Sequence, residues 1–161
     1  MNKVIVTGGL GYIGSHTAVE LSEKFQVVIV DDLSNSSIEV LEGINEISNS
    51  TPIFEKLDLK NKNEVKKLFD KHKDAIGLIH FAAYKAVGES VEKPLNYYEN
   101  NLTSLIYILQ EIDNRNLSFN LIFSSSCTVY GQAKNLPITE KESIKKAESP
   151  YGNTKQISEE I

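Results

Sequence analysis

The chain has 161 residues, of which 40% are hydrophobic, enough to bury one core, so we expect a single domain over residues 1–161. A net charge of −5 offers no basic stripe to follow a phosphate backbone, which argues against a nucleic-acid partner. Cys127 is the one cysteine, which excludes a disulfide framework and a CxxC metal site and favours a reducing, cytoplasmic location. The apolar stretch near the start is interrupted by glycines, so we interpret it as neither a signal peptide nor a membrane span.

Apolar runs of strand length alternate with segments of helical periodicity along the whole chain. The predicted order is βαβαβαβαβ, which requires parallel pairing with right-handed crossovers. The sequence therefore predicts an α/β fold with a doubly wound parallel sheet, a Rossmann fold. The predicted strands are Val4–Val6, Val27–Val30, Ile53–Phe54, Ile76–Phe81 and Leu121–Phe123.

A glycine-rich turn follows the first predicted strand, with Gly8, Gly11 and Gly14 in GxxGxxG spacing. Gly8 permits a tight turn, Gly11 lets backbone approach a pyrophosphate, and Gly14 allows close packing of the helix on the sheet. The N–H groups at the start of the helix then face the anion. Glycines also punctuate ordinary strand-to-helix turns, so the spacing alone leaves that interpretation open.

Acidic residues follow the second and third predicted strands. Asp31 and Asp32 come after Val30, where a carboxylate accepts hydrogen bonds from the adenosine ribose and repels a 2′-phosphate. This placement favours NAD over NADP as the cofactor. Asp58 has two equal interpretations, a contact to the adenine edge or an ordinary loop and capping role.

The helical segments show apolar faces at i, i+3 and i+4 spacing. The widest lies on the fourth helix, expected from near Pro94 to near Asn114, and we interpret it as core or in part as a subunit interface. The faces comprise Ile13, Thr17 and Leu21 on the first helix, Val65, Leu68 and Phe69 on the third, and Leu102, Leu105, Ile106, Leu109 and Ile112 on the fourth.

Hydroxyl side chains follow the fifth predicted strand, at the edge where open α/β sheets bind ligands. Ser126 is placed to hydrogen-bond a reacting oxygen, whereas Ser124 and Ser125 satisfy backbone near the strand end. Cys127 has no activating neighbour in the sequence, so we expect it to pack in the interior. The polar segment from Gly131 to Pro150 predicts a long loop over an active site.

Tyr151 and Lys155 are four residues apart at the start of the last helical segment, on one face and one turn apart. A phenol is a poor base at neutral pH unless its phenolate is stabilised. One ammonium at about 4 Å contributes on the order of 4 kcal/mol at an effective dielectric near 20. Together with the positive ring of oxidised NAD, Lys155 can therefore make Tyr151 a general base.

The histidines His16, His72 and His80 have no common metal-ligand spacing, so we predict no metal site. The last helical segment is followed by no further strand before Ile161, so we expect a Rossmann domain that is incomplete at its carboxyl end.

Several segments together resemble the UDP-glucose 4-epimerase family of extended short-chain dehydrogenases/reductases, and the resemblance covers the whole chain. The stretch from Lys85 to Ser90 is more specific to that family than the glycine motif. The segments are Gly8–His16, Asp31–Ser36, His80–Ser90, Ser124–Gly131 and Ser149–Lys155.

The resemblance implies a UDP-hexose substrate, galactose metabolism, and NAD that stays bound through catalysis. It implies that Tyr151, Lys155 and Ser126 are catalytic, with transient oxidation and reduction at sugar C4 interconverting UDP-glucose and UDP-galactose. The implied cofactor contacts, beside the glycine turn, Tyr151 and Lys155, are Tyr12, Ile13, Asp31, Asp32, Asn35, Ser36, Asp58, Leu59, Phe81, Ala82, Lys85 and Asn100.

The chain departs from the family in length, because members run to about twice this size and a carboxyl-terminal region supplies most substrate contacts. We therefore expect residues 1–161 alone not to turn over UDP-galactose. Smaller departures are Ala83-Tyr84 and Cys127, where members often have Gly-Leu and alanine. The family also implies a homodimer through the helices that hold Leu102–Ile112 and Tyr151–Lys155.

Two alternatives remain open: another sugar-nucleotide epimerase or dehydratase of the same family, and a noncatalytic dinucleotide-binding module. A sugar-nucleotide 4,6-dehydratase of the same family would carry an Asp-Glu pair where this chain has Ser126-Cys127. A noncatalytic dinucleotide-binding module would keep the glycine turn but need neither Tyr151 nor Lys155. The residues present favour the epimerase over both.

Overall fold

The computed structural model describes residues 1–117, 119–133 and 135–161. Five parallel strands form one sheet in the order β3-β2-β1-β4-β5, which confirms the predicted doubly wound α/β fold. The strands are β1 (Lys3–Thr7), β2 (Gln26–Asp31), β3 (Ile53–Lys56), β4 (Ala75–His80) and β5 (Asn120–Phe123).

Six α-helices accompany the strands within the described residues. They are α1 (Tyr12–Ser22), α2 (Glu39–Ser48), α3 (Lys62–Lys71), α4 (Val87–Glu92), α5 (Pro94–Asn114) and α6 (Pro150–Glu160). A short 3-10 helix, called the 3-10 turn below, spans Cys127–Tyr130. The sequence analysis did not predict α4, because the single i, i+4 pair of Val87 and Val91 in a six-residue segment is too short to establish a helical period.

The chain divides into two compact units. The first, Met1–Ala82 with Ile106–Ser124, contains the sheet, and the second, Ala83–Leu105 with Ser125–Ile161, contains α4, the 3-10 turn and α6. The single domain expected for residues 1–161 stays a prediction.

Alternate residues of β2 explain the layering of the first unit. Val27 and Ile29 belong to a core cluster with Ala18 of α1 and Ile44 of α2. Val28 and Val30 belong to a second cluster that includes residues of α3 and α5. All four β2 side chains are almost fully buried. Since successive strand residues point to opposite faces, helices cover the sheet on both sides.

The apolar face predicted for α1 is only in part the face that α1 buries, since Leu21 packs against the core but Ile13 does not. Ile13 is 58% exposed, and the buried positions are Gly14, Ala18 and Ser22. These small residues let the helix approach its neighbours closely, which a hydrophobic period does not register. On α3, by contrast, the predicted Val65, Leu68 and Phe69 are buried.

Helix α5 has the bounds predicted for the fourth helix, but its buried face is rotated from the predicted stripe. Leu105 is buried as expected, whereas Ile106 is 37% exposed and the fully buried Ile108 lies outside the predicted stripe. Asn101 and Ser104 are buried on the same side and make hydrogen bonds there. Polar residues whose hydrogen bonds are satisfied can lie on the buried face of a helix, and a pattern of apolar residues does not indicate them.

The described residues between Gly131 and Ser149 form no helix or strand, as predicted for the long loop. Lys134 of that loop lies outside the described residues. Among the helices that are described, none combines the length and apolar character needed to cross a membrane.

Candidate active site

The turn between β1 and α1 requires glycine at Gly8 and Gly14. Gly8 has a φ of +64°, and a Cβ there would lie 2.7 Å from the backbone nitrogen of Ala82. A Cβ on Gly14 would lie 2.2 Å from the carbonyl oxygen of Gly8. The close approach at Gly14 is therefore to the turn itself rather than to the sheet, which corrects the role predicted for it.

The start of α1 keeps backbone donors available for an anion. Gly11 is the N-cap, and in the described part of the chain no side chain caps it and no acidic residue lies in the first turn. Helices α3 and α6 are instead capped by Asn61 and Ser149. The predicted contact residues Tyr12 and Ile13 lie in this first turn with mostly exposed side chains. An uncapped N-terminus behind a glycine turn suits a phosphate group.

Asp31 is the last residue of β2, and its carboxylate connects the glycine turn to the loop after β2. One oxygen accepts the N–H of Leu10 at 3.1 Å. The other accepts the N–H of Leu33 at 3.0 Å and the hydroxyl of Ser36 at 2.7 Å. A carboxylate has about four acceptor sites, so capacity remains for one further donor such as a ribose hydroxyl.

The neighbouring predicted residues make local contacts. The Asp32 carboxylate accepts the N–H and hydroxyl of Ser34. Asp58 accepts the N–H of Lys60 at 2.9 Å and pairs with its ammonium at 3.5 Å, which supports the loop interpretation of this residue. Leu59 has its side chain in the core. A cofactor contact at each of these positions stays a prediction.

Thr7 holds the ends of β1 and β4 together, a feature that the sequence analysis missed. Its hydroxyl lies 2.7 Å from Nδ1 of the buried His80 and accepts the N–H of Ala82 at 3.5 Å. Its carbonyl accepts the N–H of Phe81 at 3.1 Å. The predicted contacts Phe81 and Ala82 are therefore held next to the glycine turn. The available signal was that Thr7 and His80, both polar, end two apolar strands.

The remaining predicted cofactor contacts differ in exposure. Exposed side chains are those of Asn35 and Lys85, and Asn100 is half-buried.

Ser126 begins the 3-10 turn, where its hydroxyl oxygen accepts the N–H of Thr128 at 3.3 Å and the Thr128 hydroxyl at 3.0 Å. Because the Ser126 oxygen is the acceptor in both, its proton is directed elsewhere. Ser125 donates to the carboxylate of Glu159 on α6, rather than to backbone as predicted. Cys127 is exposed, so the expectation that it packs in the interior was wrong. Its position in a surface turn, rather than in a strand, is the reason.

Helix α6 presents Tyr151 and Lys155 one turn apart on one face. Ser149 caps it by accepting the N–H of Gly152 at 3.1 Å, and Pro150 occupies the first turn, where a missing N–H costs nothing. The cap fixes the residue at which the helix begins. It therefore places Tyr151 in the first turn of the helix.

Lys155 is 4% exposed, and this burial lowers the pKa of its ammonium to about 8. The ammonium thus keeps its proton through most of the neutral range. Tyr151 is half-buried. Burial and a hydrogen bond to Glu89 raise the pKa of Tyr97 on α5 to about 12, which makes Tyr97 unsuited to act as a base.

Asn101, which the sequence analysis also missed, supports α6 from α5. Its side-chain nitrogen donates to the hydroxyl of Thr154 at 3.1 Å, and that hydroxyl donates to the carbonyl of Tyr151 at 2.7 Å. The Asn101 amide also exchanges hydrogen bonds with both backbone groups of Tyr84. A buried asparagine makes its full set of bonds here, so the first turn of α6 is rigidly held.

The predicted residues gather in two groups, one in each unit. The glycine turn, Asp31 and the end of β4 lie together in the first unit, and the 3-10 turn and α6 lie together in the second. In the described residues no group of histidine, cysteine and acidic side chains is placed to hold a metal ion.

Comparison with known proteins identifies relatives along nearly the whole chain. Residues 5–161 match the family model described as GDP-mannose 4,6 dehydratase. UDP-glucose 4-epimerase of Yersinia enterocolitica is 45% identical over 161 residues, covering 99% of this chain and 47% of that protein. UDP-glucose 4-epimerase of Drosophila melanogaster is 42% identical over 165 residues, covering 98% of this chain and 47% of that protein.

Solved structures agree with the sequence comparison. UDP-glucose 4-epimerase from Bifidobacterium longum, in complex with NAD+ and UDP, matches with a TM-score of 0.94 at 40% identity, covering 99% of this chain and 47% of that chain. The Stenotrophomonas maltophila enzyme, with bound NAD and formylated UDP-arabinopyranose, matches with a TM-score of 0.91 at 40% identity and the same coverage. The chain spans about half the length of these relatives. It belongs to the GDP-mannose 4,6 dehydratase family, among the extended short-chain dehydrogenases/reductases that its sequence resembles.

Proposed function

We propose that this chain is the NAD-binding and catalytic part of a UDP-glucose 4-epimerase, which interconverts UDP-glucose and UDP-galactose. The observation that carries the proposal is the buried Lys155, one helical turn from Tyr151 on a capped helix. Burying an ammonium is costly, and a fold retains such a charge where chemistry needs it. The relatives at 42–45% identity are named UDP-glucose 4-epimerases, which supports this assignment.

The first unit offers residues that fit NAD. Gly8 and Gly14 let the backbone of the turn pack closely on itself and on Ala82, and the N–H groups at the start of α1 are available to a pyrophosphate. Asp31 has acceptor capacity for a ribose hydroxyl and would repel the 2′-phosphate of NADP. NAD bound by these residues would supply reversible hydride transfer at sugar C4.

The side chains of the second unit handle the proton. Tyr151 removes the proton of the sugar 4-hydroxyl and gives it back after the keto sugar has turned over. Lys155 stabilises the phenolate form of Tyr151, and low solvent exposure strengthens that interaction. Ser126 donates a hydrogen bond to the reacting oxygen and keeps its proton, consistent with its own oxygen serving as the acceptor toward Thr128.

The decisive experiment is conversion of UDP-galactose to UDP-glucose by the full-length protein. We expect Tyr151→Phe to lower kcat by about 10²–10⁴-fold, because the phenol is the proton carrier. Tyr107→Phe is the matched control, since Tyr107 is a half-buried tyrosine of α5 that we place in no site. A Tyr151→Phe protein with the kcat of that control would contradict the proposal.

The description of the family model favours one alternative, a 4,6-dehydratase. That reaction needs acid and base groups at sugar C5 and C6, whereas Ser126 and Cys127 occupy the place where the Asp-Glu pair is expected. Product analysis separates the two, because a dehydratase releases a 4-keto-6-deoxy sugar. NAD binding without turnover by the full-length protein would instead support a noncatalytic module.

Residues 1–161 by themselves are proposed to bind NAD without turning over UDP-galactose, since the relatives are about twice as long. Robust epimerisation by this segment alone would contradict that.

We further propose a cytoplasmic homodimer with no nucleic-acid or membrane partner, following the family resemblance. The exposed Ile106 and the half-buried Leu102 and Leu109 on α5 support an interface there. Light scattering of the full-length protein tests the dimer, and a monomeric mass across the micromolar range would refute it.

A further inference from the structure

We propose that Gln156 is a positioning residue that fixes the 3-10 turn and the returning end of the long loop on α6, and so aligns Ser126 with the helix that carries Tyr151. This inference rests on the proposed function for its effect on catalysis. It assigns a role to a side chain that directly follows Lys155 in the sequence.

Every polar hydrogen of the Gln156 amide is used. The side-chain nitrogen donates to the carbonyl of Val129 at 2.7 Å and to the carbonyl of Lys145. The side-chain oxygen accepts the N–H of Ala147 at 3.3 Å. One half-buried side chain therefore joins α6 to the 3-10 turn and to the segment 145–147.

These partners determine the orientation of the amide. Two carbonyl oxygens face its nitrogen and one N–H faces its oxygen, so only glutamine satisfies all three with this shape. A glutamate would place a carboxylate oxygen against two carbonyl oxygens and could not donate while ionised. Replacement by glutamate or by leucine would leave the carbonyls of Val129 and Lys145 without the donor that Gln156 supplies.

Backbone packing independently brings the same segments together. A Cβ on Gly152, next to Tyr151, would lie 3.2 Å from the Cβ of Ala147 and 3.3 Å from the Cβ of Thr128. A Cβ on Gly131, at a φ of +56°, would lie 2.6 Å from the carbonyl oxygen of Lys146. The loop end thus lies directly against both the 3-10 turn and the first turn of α6, where Gln156 secures it.

The hydrogen bond from Gln156 to Val129 also restrains the position of Ser126. Ser126 caps the 3-10 turn, and the N–H of Val129 donates to the Ser126 carbonyl at 3.1 Å. The Val129 carbonyl that Gln156 binds therefore belongs to the same short turn. When a turn is displaced by about 1 Å, a catalytic side chain on it can lose up to about 10²-fold in rate.

The test compares Gln156→Glu and Gln156→Leu with Gln132→Glu in the full-length protein. Gln132 is an exposed glutamine of the same long loop, so its change is the matched control. We expect both Gln156 variants to lower kcat about 10-fold with KM for UDP-galactose changed less than about 2-fold, and Gln132→Glu to match the wild type. Below about pH 5 the glutamate of Gln156→Glu increasingly gains a proton and so one donor. Part of its kcat loss, relative to wild type at the same pH, should then be recovered, whereas Gln156→Leu recovers none.

The hydrogen bonds of Gln156 to Val129, Lys145 and Ala147 are called the clamp below. Hydrogen exchange of the same proteins reports on the clamp without requiring activity. We expect amide protection over residues 129–131 and 145–147 to fall in both Gln156 variants and to stay unchanged in Gln132→Glu. Unchanged protection in Gln156→Glu overturns the proposal, and so does lost protection with wild-type kcat. If the wild type does not epimerise, the proposed function fails, and the exchange result alone then upholds or overturns the clamp.

Discussion

Replacing Lys155 by methionine should stabilise the protein at neutral pH while removing its activity. Burial lowers the pKa of Lys155 from 10.5 to about 8. The folded chain therefore binds this proton less tightly than the unfolded chain, and the folded state is penalised wherever the lysine is charged, below about pH 8. A pKa lowered this far corresponds to a penalty of about 3 kcal/mol at pH 7. The penalty is relieved as the pH rises from 8 toward 10.5.

Urea unfolding followed by circular dichroism, at pH 7 and at pH 10, measures this effect. Relief of the charge penalty should raise the free energy of unfolding of Lys155→Met above that of the wild type by about 3 kcal/mol at pH 7. At pH 10 the same contribution should be below about 1 kcal/mol. Comparing the two pH values cancels packing differences between lysine and methionine. Lys67→Met, at an exposed position of α3, is the control and should show no such pH dependence. An excess that is equal at both pH values would refute the reasoning.

Three further changes test the site. Gly8→Ala should destabilise the fold by about 1–3 kcal/mol, because it combines a left-handed backbone with a Cβ 2.7 Å from Ala82. Gly43→Ala, whose Cβ would meet nothing within 4 Å, should not destabilise it. Equal unfolding curves for the two variants would contradict this. Asp31→Ala should weaken NAD binding about 10–100-fold by calorimetry, and an unchanged affinity removes Asp31 from the site. Ser149→Ala should lower the free energy of unfolding by about 1 kcal/mol in chemical denaturation, because the α6 cap is lost. Ser149→Asp should keep most of the wild-type stability, because aspartate also caps helices.

Local signals were sufficient for much of the fold and the site. The alternation of apolar runs predicted the parallel sheet, and Pro94 and Asn114 bounded α5 correctly. The pair Tyr151 and Lys155 shares a helix face because four residues make about one turn. Such features depend on neighbours in the sequence, so a single chain is enough to predict them.

What the sequence by itself determined is therefore the order of elements, the glycine turn and the spacing of Tyr151 and Lys155. Only the tertiary structure decided the burial of Lys155, the exposure of Cys127, the small-residue face of α1 and the contacts of Gln156. The physical reason is that burial and hydrogen bonding depend on groups brought from distant parts of the chain. A hydrophobic period indicates that a helix has faces, but the packing partners decide which face is covered.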